Sequence, residues 1–216
     1  MLKVRLDHVE TNNQVGIDEA GRGPLLGRVY AAAVLLPEII PPEFADIKDS
    51  KKFSSPKKLK RIAELIMSKC RGYGVGYATC TEVDSQNVRV ATYTAMHRAI
   101  TKLSAIVSPA HLIVDGNDFK PYYVFDGDRL VGVPHTCVPQ GDSYYMPVAA
   151  ASIVAKYERD KYITNLVNQE PDLDRKYCLL KNKGYGTKEH LDGIREHGIS
   201  EWHRKTFGIC KQYVVS

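Results

Sequence analysis

The sequence predicts an α/β fold: a mixed central β-sheet flanked by helices, with a C-terminal helical extension from about residue 168. Three observations carry that prediction. Residues 14–18 and 28–36 are short, apolar and partly β-branched, and a Gly/Pro-rich turn separates them, as it would two neighbouring strands. Strand and helix patterns then alternate, with no internal repeat or low-complexity tract. Finally, the stretch PVAAASIVA at residues 147–155 is nearly all small and apolar, so a helix there must be buried, close against the sheet.

Taken in order, residues 55–70 have helical character, with Pro56 suited to a first turn and Leu59, Ile62, Ala63 and Ile66 on one face. Residues 72–81 read as a strand whose Gly72, Gly74 and Gly76 imply a twisted or closely approached segment. Residues 83–103 look like one helix, and HLIVD at 111–115 like a short buried strand. Residues 117–134 read as a loop, 136–138 as a further strand, 146–166 as a helix and 187–197 as a short helix. No stretch resembles a domain linker, so residues 1–216 are expected to form a single domain.

Composition narrows the classes. Hydrophobic residues make up 44% and charged residues 25%, with a formal charge of +5, which excludes disordered, collagenous and coiled-coil chains. The longest uncharged apolar runs, at 29–36 and 147–155, fall well short of the ~20 residues a membrane span needs. The start, MLKVRLDHVE, has no apolar signal region, so a cytoplasmic protein is expected, a viral or organellar origin being left open. Five scattered cysteines without a CxxC pair suggest free thiols rather than a zinc site or disulfide framework.

The acidic residues are placed informatively. Asp18 and Glu19 end the first strand, Asp115 ends HLIVD, and Asp142 lies in QGD just before the buried helix. Strand ends and helix starts are where ligand sites form in α/β sheets. If the two strands are neighbours, these carboxylates crowd together and call for a compensating cation. Mg²⁺ or Mn²⁺ suits an all-oxygen donor set, and two such ions can support phosphodiester hydrolysis. Each Asp could instead merely form a turn, as VDGN at 114–117 would allow.

Gly21-Arg22-Gly23-Pro24 follows directly. A dinucleotide fingerprint fails because Leu26 holds the third glycine position and a strand follows; a P-loop fails for want of G-K-[ST]. What remains is a turn whose backbone amides approach a ligand closely, with Arg22 available to a phosphate, or else a plain hairpin turn. Between Lys48 and Arg71, nine basic residues stand against two acidic ones, either a polyanion-binding surface or a solvated helix face. Tyr185, between two glycines in KNKGYGTKEH, could stack on a base or sugar, although most tyrosines pack in cores. The S-x-x-x-K of Ser152 to Lys156 lacks the spacing of acyl-serine enzymes.

Together these blocks resemble ribonuclease HII, the type 2 ribonuclease H family. The matching segments are GIDEAGRGPLLG (16–27), DSKKFS (49–54), LIVDGN (112–117), QGD with AAASIVAKYERD (140–160) and NKGYGTKEH with HGISEWHRKTF (182–207). The resemblance implies a ribonuclease H-like fold and an endonuclease acting on RNA·DNA hybrids and on single ribonucleotides embedded in duplex DNA. It implies that Asp18, Glu19, Asp115 and Asp142 bind the metals, and that Gly21, Arg22 and Gly23 read the ribose 2′-OH. It further implies that Tyr185 packs on the adjoining deoxyribose and that Lys51 lies near the cleaved backbone. A monomer is expected, without a membrane partner, without the N-terminal domain of ribonuclease HIII and without an evident clamp-binding peptide. Leu26 and Arg28 are larger than the residues usual at these positions, Phe53 and Thr206 also differ, and GDSYYMP lacks a Lys after its Asp. Two rivals stay open: another nuclease of the same fold, and a nucleic-acid binder with a dead site.

Overall fold

The computed structural model describes residues 2–47 and 55–214. Strand β1 (Gln14–Ala20) pairs antiparallel with β2 (Val29–Leu35), which pairs antiparallel with β3 (Gly72–Ala78). On its other side β1 pairs parallel with β4 (His111–Asp115), and β4 pairs parallel with β7 (His135–Val138). The mixed sheet therefore has the order β3-β2-β1-β4-β7. Every residue of β2 is buried, because both faces of the sheet are covered. Ala31, Ala33 and Leu35 face one core, and Ala32 and Val34 the other, following the two-residue period of a strand.

Helix α1 (Pro56–Lys69) covers the second face with Leu59, Ile62, Ala63 and Ile66, the four residues its sequence pattern selects. The first face is covered by α3 (Val88–Ser104), preceded by the short α2 (Cys80–Gln86). A Cβ at Gly74 or Gly76 would meet the Ala99 or Ala95 carbonyl oxygen at 2.0 or 2.1 Å, so α3 approaches β3 as closely as the three glycines suggested. The single helix expected over 83–103 is in fact two. Asn87 takes a left-handed φ of 69° and its side chain accepts hydrogen bonds from the Arg89 and Val90 amides, capping α3. The preceding strand ends early for a similar reason: Thr79 and Glu82 form a capping box for α2.

The segment 117–134, expected to be a loop, contains a two-stranded hairpin, β5 (Tyr123–Asp126) and β6 (Arg129–Gly132), turning at Gly127 with φ 58°. Helix α4 (Met146–Gln169) runs across β1 and β2 and continues into a separate core. Its first turn lies so close to β1 that a Cβ at Gly16 would fall 2.1 Å from the Pro147 carbonyl carbon. Beyond it, α5 (Asp172–Tyr177), α6 (Leu179–Asn182) and α7 (Lys188–His197) form the C-terminal helical extension. Leu173, Tyr177, Leu179, Ile194 and Cys210 pack there against Leu25, Leu26, Ile163 and Leu166.

Larger residues at 26 and 28 fit this environment. Leu26 is fully buried in that core, and the Arg28 guanidinium stacks between Tyr77 and Tyr162, 4.2 and 4.6 Å from the ring centroids. Thr206 donates its hydroxyl to Asp84 at 2.6 Å. All five cysteines are free thiols. No helix among the described residues is long and apolar enough to cross a membrane.

Candidate active site

The register of β1 on β4 pairs Ile17 with Val114, so the next residues on the two strands are Asp18 and Asp115. Parallel pairing thus delivers both carboxylates to the same edge of the sheet. Asp115 lies opposite Val138 at the end of β7, and the chain then turns through Gly141–Ser143 into α4. In that turn the Gly141 amide donates to Asp115 Oδ1 at 2.7 Å, which brings the backbone leading into Asp142 against Asp115. Asp18 and Asp142 are buried, while Glu19 and Asp115 are partly exposed.

Electrostatics bind three of these groups together. Burial pushes the Asp18 carboxyl well above the ordinary carboxylate range, and the charges of Glu19 and Asp115 push it further; the Ser152 hydroxyl and the Glu19 amide work against this. The amide donates to Asp18 Oδ1 at 2.6 Å. Glu19 is also raised, chiefly by burial and further by Asp115, with the Arg22 guanidinium opposing. Arg22 Nη1 lies 3.3 Å from Glu19 Oε1. Among the described residues no three acidic, His or Cys side chains already gather in metal-holding geometry. Their chemistry nevertheless fits a hard divalent cation: crowded carboxylate oxygens at a partly buried strand edge lose their mutual repulsion when one binds.

Beside the carboxylates, Gly21 has φ 94°, and a Cβ there would strike the Arg159 side chain at 2.2 Å. Arg22 and Gly23 are exposed. A Cβ at Gly23 would lie 3.6 Å from the Tyr185 ring, so the glycine turn and Tyr185 come together although 162 positions apart in sequence. Tyr185 is 44% exposed, leaving a ring face open to a ligand. Lys51, with the rest of DSKKFS, lies outside the described residues.

The basic block is less available than its count suggested. Lys58 and Arg61 pair with Asp46, Lys60 with Glu64, Lys69 with Glu43 and Arg71 with Glu38, at 2.6–3.8 Å. Acidic residues, all but Glu64 from outside the block, thus neutralise much of it. Sequence reasoning met Ser152 only as an acyl-serine decoy and passed over Arg159 and Arg204. Ser152 and Arg159 are two helical turns apart on the same buried face of α4, a spacing that could have exposed them. Arg204 carries no such signal.

Carboxylates gathered at a strand end beside a glycine turn and an exposed tyrosine are an arrangement suited to a phosphodiester hydrolase. Comparison with known proteins agrees. The family model described as Ribonuclease HII matches residues 15–210. Ribonuclease HII of Parabacteroides distasonis is 44% identical over 97% of this chain and 98% of its own length. The crystal structure of ribonuclease H2 from Pyrococcus horikoshii superposes with a TM-score of 0.73, covering 93% of this chain and 96% of that one, at 21% identity. Bst-RNase HIII in complex with Mn²⁺ gives 0.62 over 93% and 68% of the two chains, at 23% identity. This chain belongs to the ribonuclease HII family and is an endonuclease of the ribonuclease H class.

Proposed function

We propose that this protein hydrolyses the RNA strand of RNA·DNA hybrids and cuts on the 5′ side of ribonucleotides embedded in duplex DNA, leaving 3′-OH and 5′-phosphate ends. The observation that carries this reading is the meeting of the Gly21–Gly23 turn with Tyr185 beside the Asp18, Glu19 and Asp115 cluster. Asp18, Glu19, Asp115 and Asp142 would hold Mg²⁺ or Mn²⁺, as two ions. What divalent ions supply to such a site is polarisation of the phosphoryl oxygens and a water acidic enough to attack at neutral pH.

The chain's own residues do the rest. Ser152 and the Glu19 amide donate to the Asp18 carboxylate and favour its charged form, and the Gly141 amide does the same geometric work for Asp115. Arg22 leans on Glu19 and stands where a phosphate would approach. The turn reads a 2′-OH through backbone amides, which reject a deoxyribose because it leaves them unpaired. Tyr185 offers its open face to the neighbouring sugar, and Lys51 would lie along the backbone near the cut. The reading requires no partner protein, no membrane and no second copy of the chain.

The Asp115→Asn and Asp142→Asn variants test the site. Each should lose hybrid cleavage by on the order of 100-fold or more, weaken Mn²⁺ binding by calorimetry, and melt no lower than wild type, because relieved repulsion does not destabilise. Wild-type turnover in either variant would remove the assignment.

A further inference from the structure

Arg204 is completely buried, and its guanidinium is spent on one loop. Nε donates to the Gly27 carbonyl at 2.9 Å, Nη1 to Arg22 and Pro24 at 2.8 and 2.9 Å, and Nη2 to Gly21 at 2.6 Å. The backbone around it pairs with the same loop: the Gly27 amide donates to Trp202, and the Arg204 amide to Leu25. Burial lowers this guanidinium to about 10, so it remains charged at neutral pH.

A second buried arginine also reaches the loop. Arg159 of α4 packs under Gly21 and donates Nη2 to the Lys183 carbonyl at 2.8 Å. Its guanidinium lies 5.6 Å from the Tyr185 ring centroid, and the Leu25 amide donates to Gly184 at 2.8 Å. Two buried cations are costly, typically several kcal/mol each before compensation. Four carbonyls of the turn satisfy Arg204. Arg159 bonds through Nη2, whereas its Nε and Nη1 are buried with no partner among the described residues, so its cost is only partly offset. Both arginines depend on those loops keeping this shape.

The consequence follows from peptide geometry. In a trans peptide the carbonyl of one residue and the amide of the next point in opposite directions. Because Arg204 draws the Gly21 and Arg22 carbonyls inward, the Arg22 and Gly23 amides are turned outward, at the two exposed residues of the turn.

We infer that Arg204 and Arg159 are positioning residues for ribose recognition: Arg204 fixes the direction of the Arg22 and Gly23 amides, and Arg159 fixes the separation of that turn from Tyr185. The inference rests on the proposed reading of the 2′-OH. It makes specificity, more than hydrolysis itself, depend on two residues that touch no substrate. A lysine at 204 keeps the charge but cannot span four carbonyls, since its three donors radiate from a single nitrogen.

The test compares kcat/KM on duplex DNA carrying one ribonucleotide with kcat/KM on a uniform RNA·DNA hybrid, in Mn²⁺. A uniform hybrid presents a ribose in every register, so a displaced turn still finds one; the embedded ribonucleotide offers a single register. The ratio of the two should fall about tenfold in Arg204→Lys, misplacement by an ångström being able to cost that much. Arg159→Lys should lower it in the same direction. Partial unfolding reduces both rates alike and leaves the ratio untouched, so a purely structural role predicts no change. If Arg204→Lys cleaves neither substrate measurably, Arg159→Lys decides by the same ratio. An unchanged ratio in an active variant overturns the inference. Wild type and Tyr185→Ala run alongside. Wild type failing at the embedded ribonucleotide defeats the functional reading itself. A ratio lowered by Tyr185→Ala but by neither arginine variant defeats only the positioning role.

Discussion

Asp18 sits at the end of a fully buried strand segment, with Glu19 next to it and Asp115 across the ladder. Burial, with the charges of Glu19 and Asp115, raises the proton affinity of Asp18, and burial with Asp115 raises that of Glu19; an amide and a hydroxyl aimed at Asp18 only partly offset this. Such an arrangement lowers stability unless a cation compensates, the kind of local conflict expected at a functional site. Tyr185 is the complementary case, an aromatic held open beside Gly23. Its loss should remove a sugar platform, so Tyr185→Ala should slow cutting at an embedded ribonucleotide by about tenfold, in line with stacking worth of order 1–3 kcal/mol. Duplex affinity measured by fluorescence anisotropy should change less; equal losses in rate and affinity would mark plain packing. At this scale the sequence was partly legible. Carboxylates at strand ends stand out because four of them fall at element ends, although each alone could simply form a turn. Arg159 and Arg204 did not, since a buried arginine bonded to carbonyls looks, in sequence, like any surface charge.

Elements show where periodicity succeeds and where it has nothing to read. Helix α1 and strand β2 bury the residues their patterns select, because each has a solid core on the relevant face. The hairpin β5–β6 escaped notice because its strands have four residues each and expose Tyr123, Phe125, Leu130 and Val131, so no inside and outside alternate. The break between α2 and α3 rests on one side chain, Asn87, whose effect is geometric rather than hydrophobic. That residue gives a sharp expectation. Asn87→Ala loses the cap while keeping a Cβ at φ 69°, for about 1 kcal/mol, whereas Asn87→Gly loses only a few tenths, because removing the Cβ relieves that φ as the cap is lost. Urea unfolding of the two variants measures the difference; an alanine variant as stable as the glycine variant would contradict the cap.

On the scale of the molecule, the C-terminal extension is held together by a buried histidine pair that ties α7 to the turn at 200–203. The Ser200 amide donates to His203 Nδ1 at 2.9 Å, so the His203 proton is on Nε2 and is given to His190 Nε2 at 3.0 Å. His190 then carries its proton on Nδ1 and donates it to the Tyr185 carbonyl at 3.0 Å. This chain works only with both rings neutral. Burial, then the neighbouring His190, lowers His203 from 6.5 to about 3, and burial lowers His190 as well. Below the unfolded value the denatured chain binds protons that the native one refuses, so stability falls as pH drops from about 6.5 towards 3. The slope is about 1.4 kcal/mol per pH unit for each proton. Urea midpoints at pH 7 and pH 5 should show that loss, and His203→Gln should flatten it; identical slopes in variant and wild type would remove the histidine pair from the account. The overall architecture was visible in the alternation of strand and helix, but this coupling joins residues whose proximity only the fold creates.

The central claim is that the glycine turn and the acidic edge act together on one phosphodiester beside a ribose. The most direct measurement is cleavage of an end-labelled DNA duplex carrying a single ribonucleotide, beside an all-DNA duplex, in Mg²⁺, in Mn²⁺ and in EDTA. The expected result is a metal-dependent cut on the 5′ side of the ribonucleotide, with the all-DNA duplex intact. Cutting of both duplexes, or of neither in either metal, would contradict it.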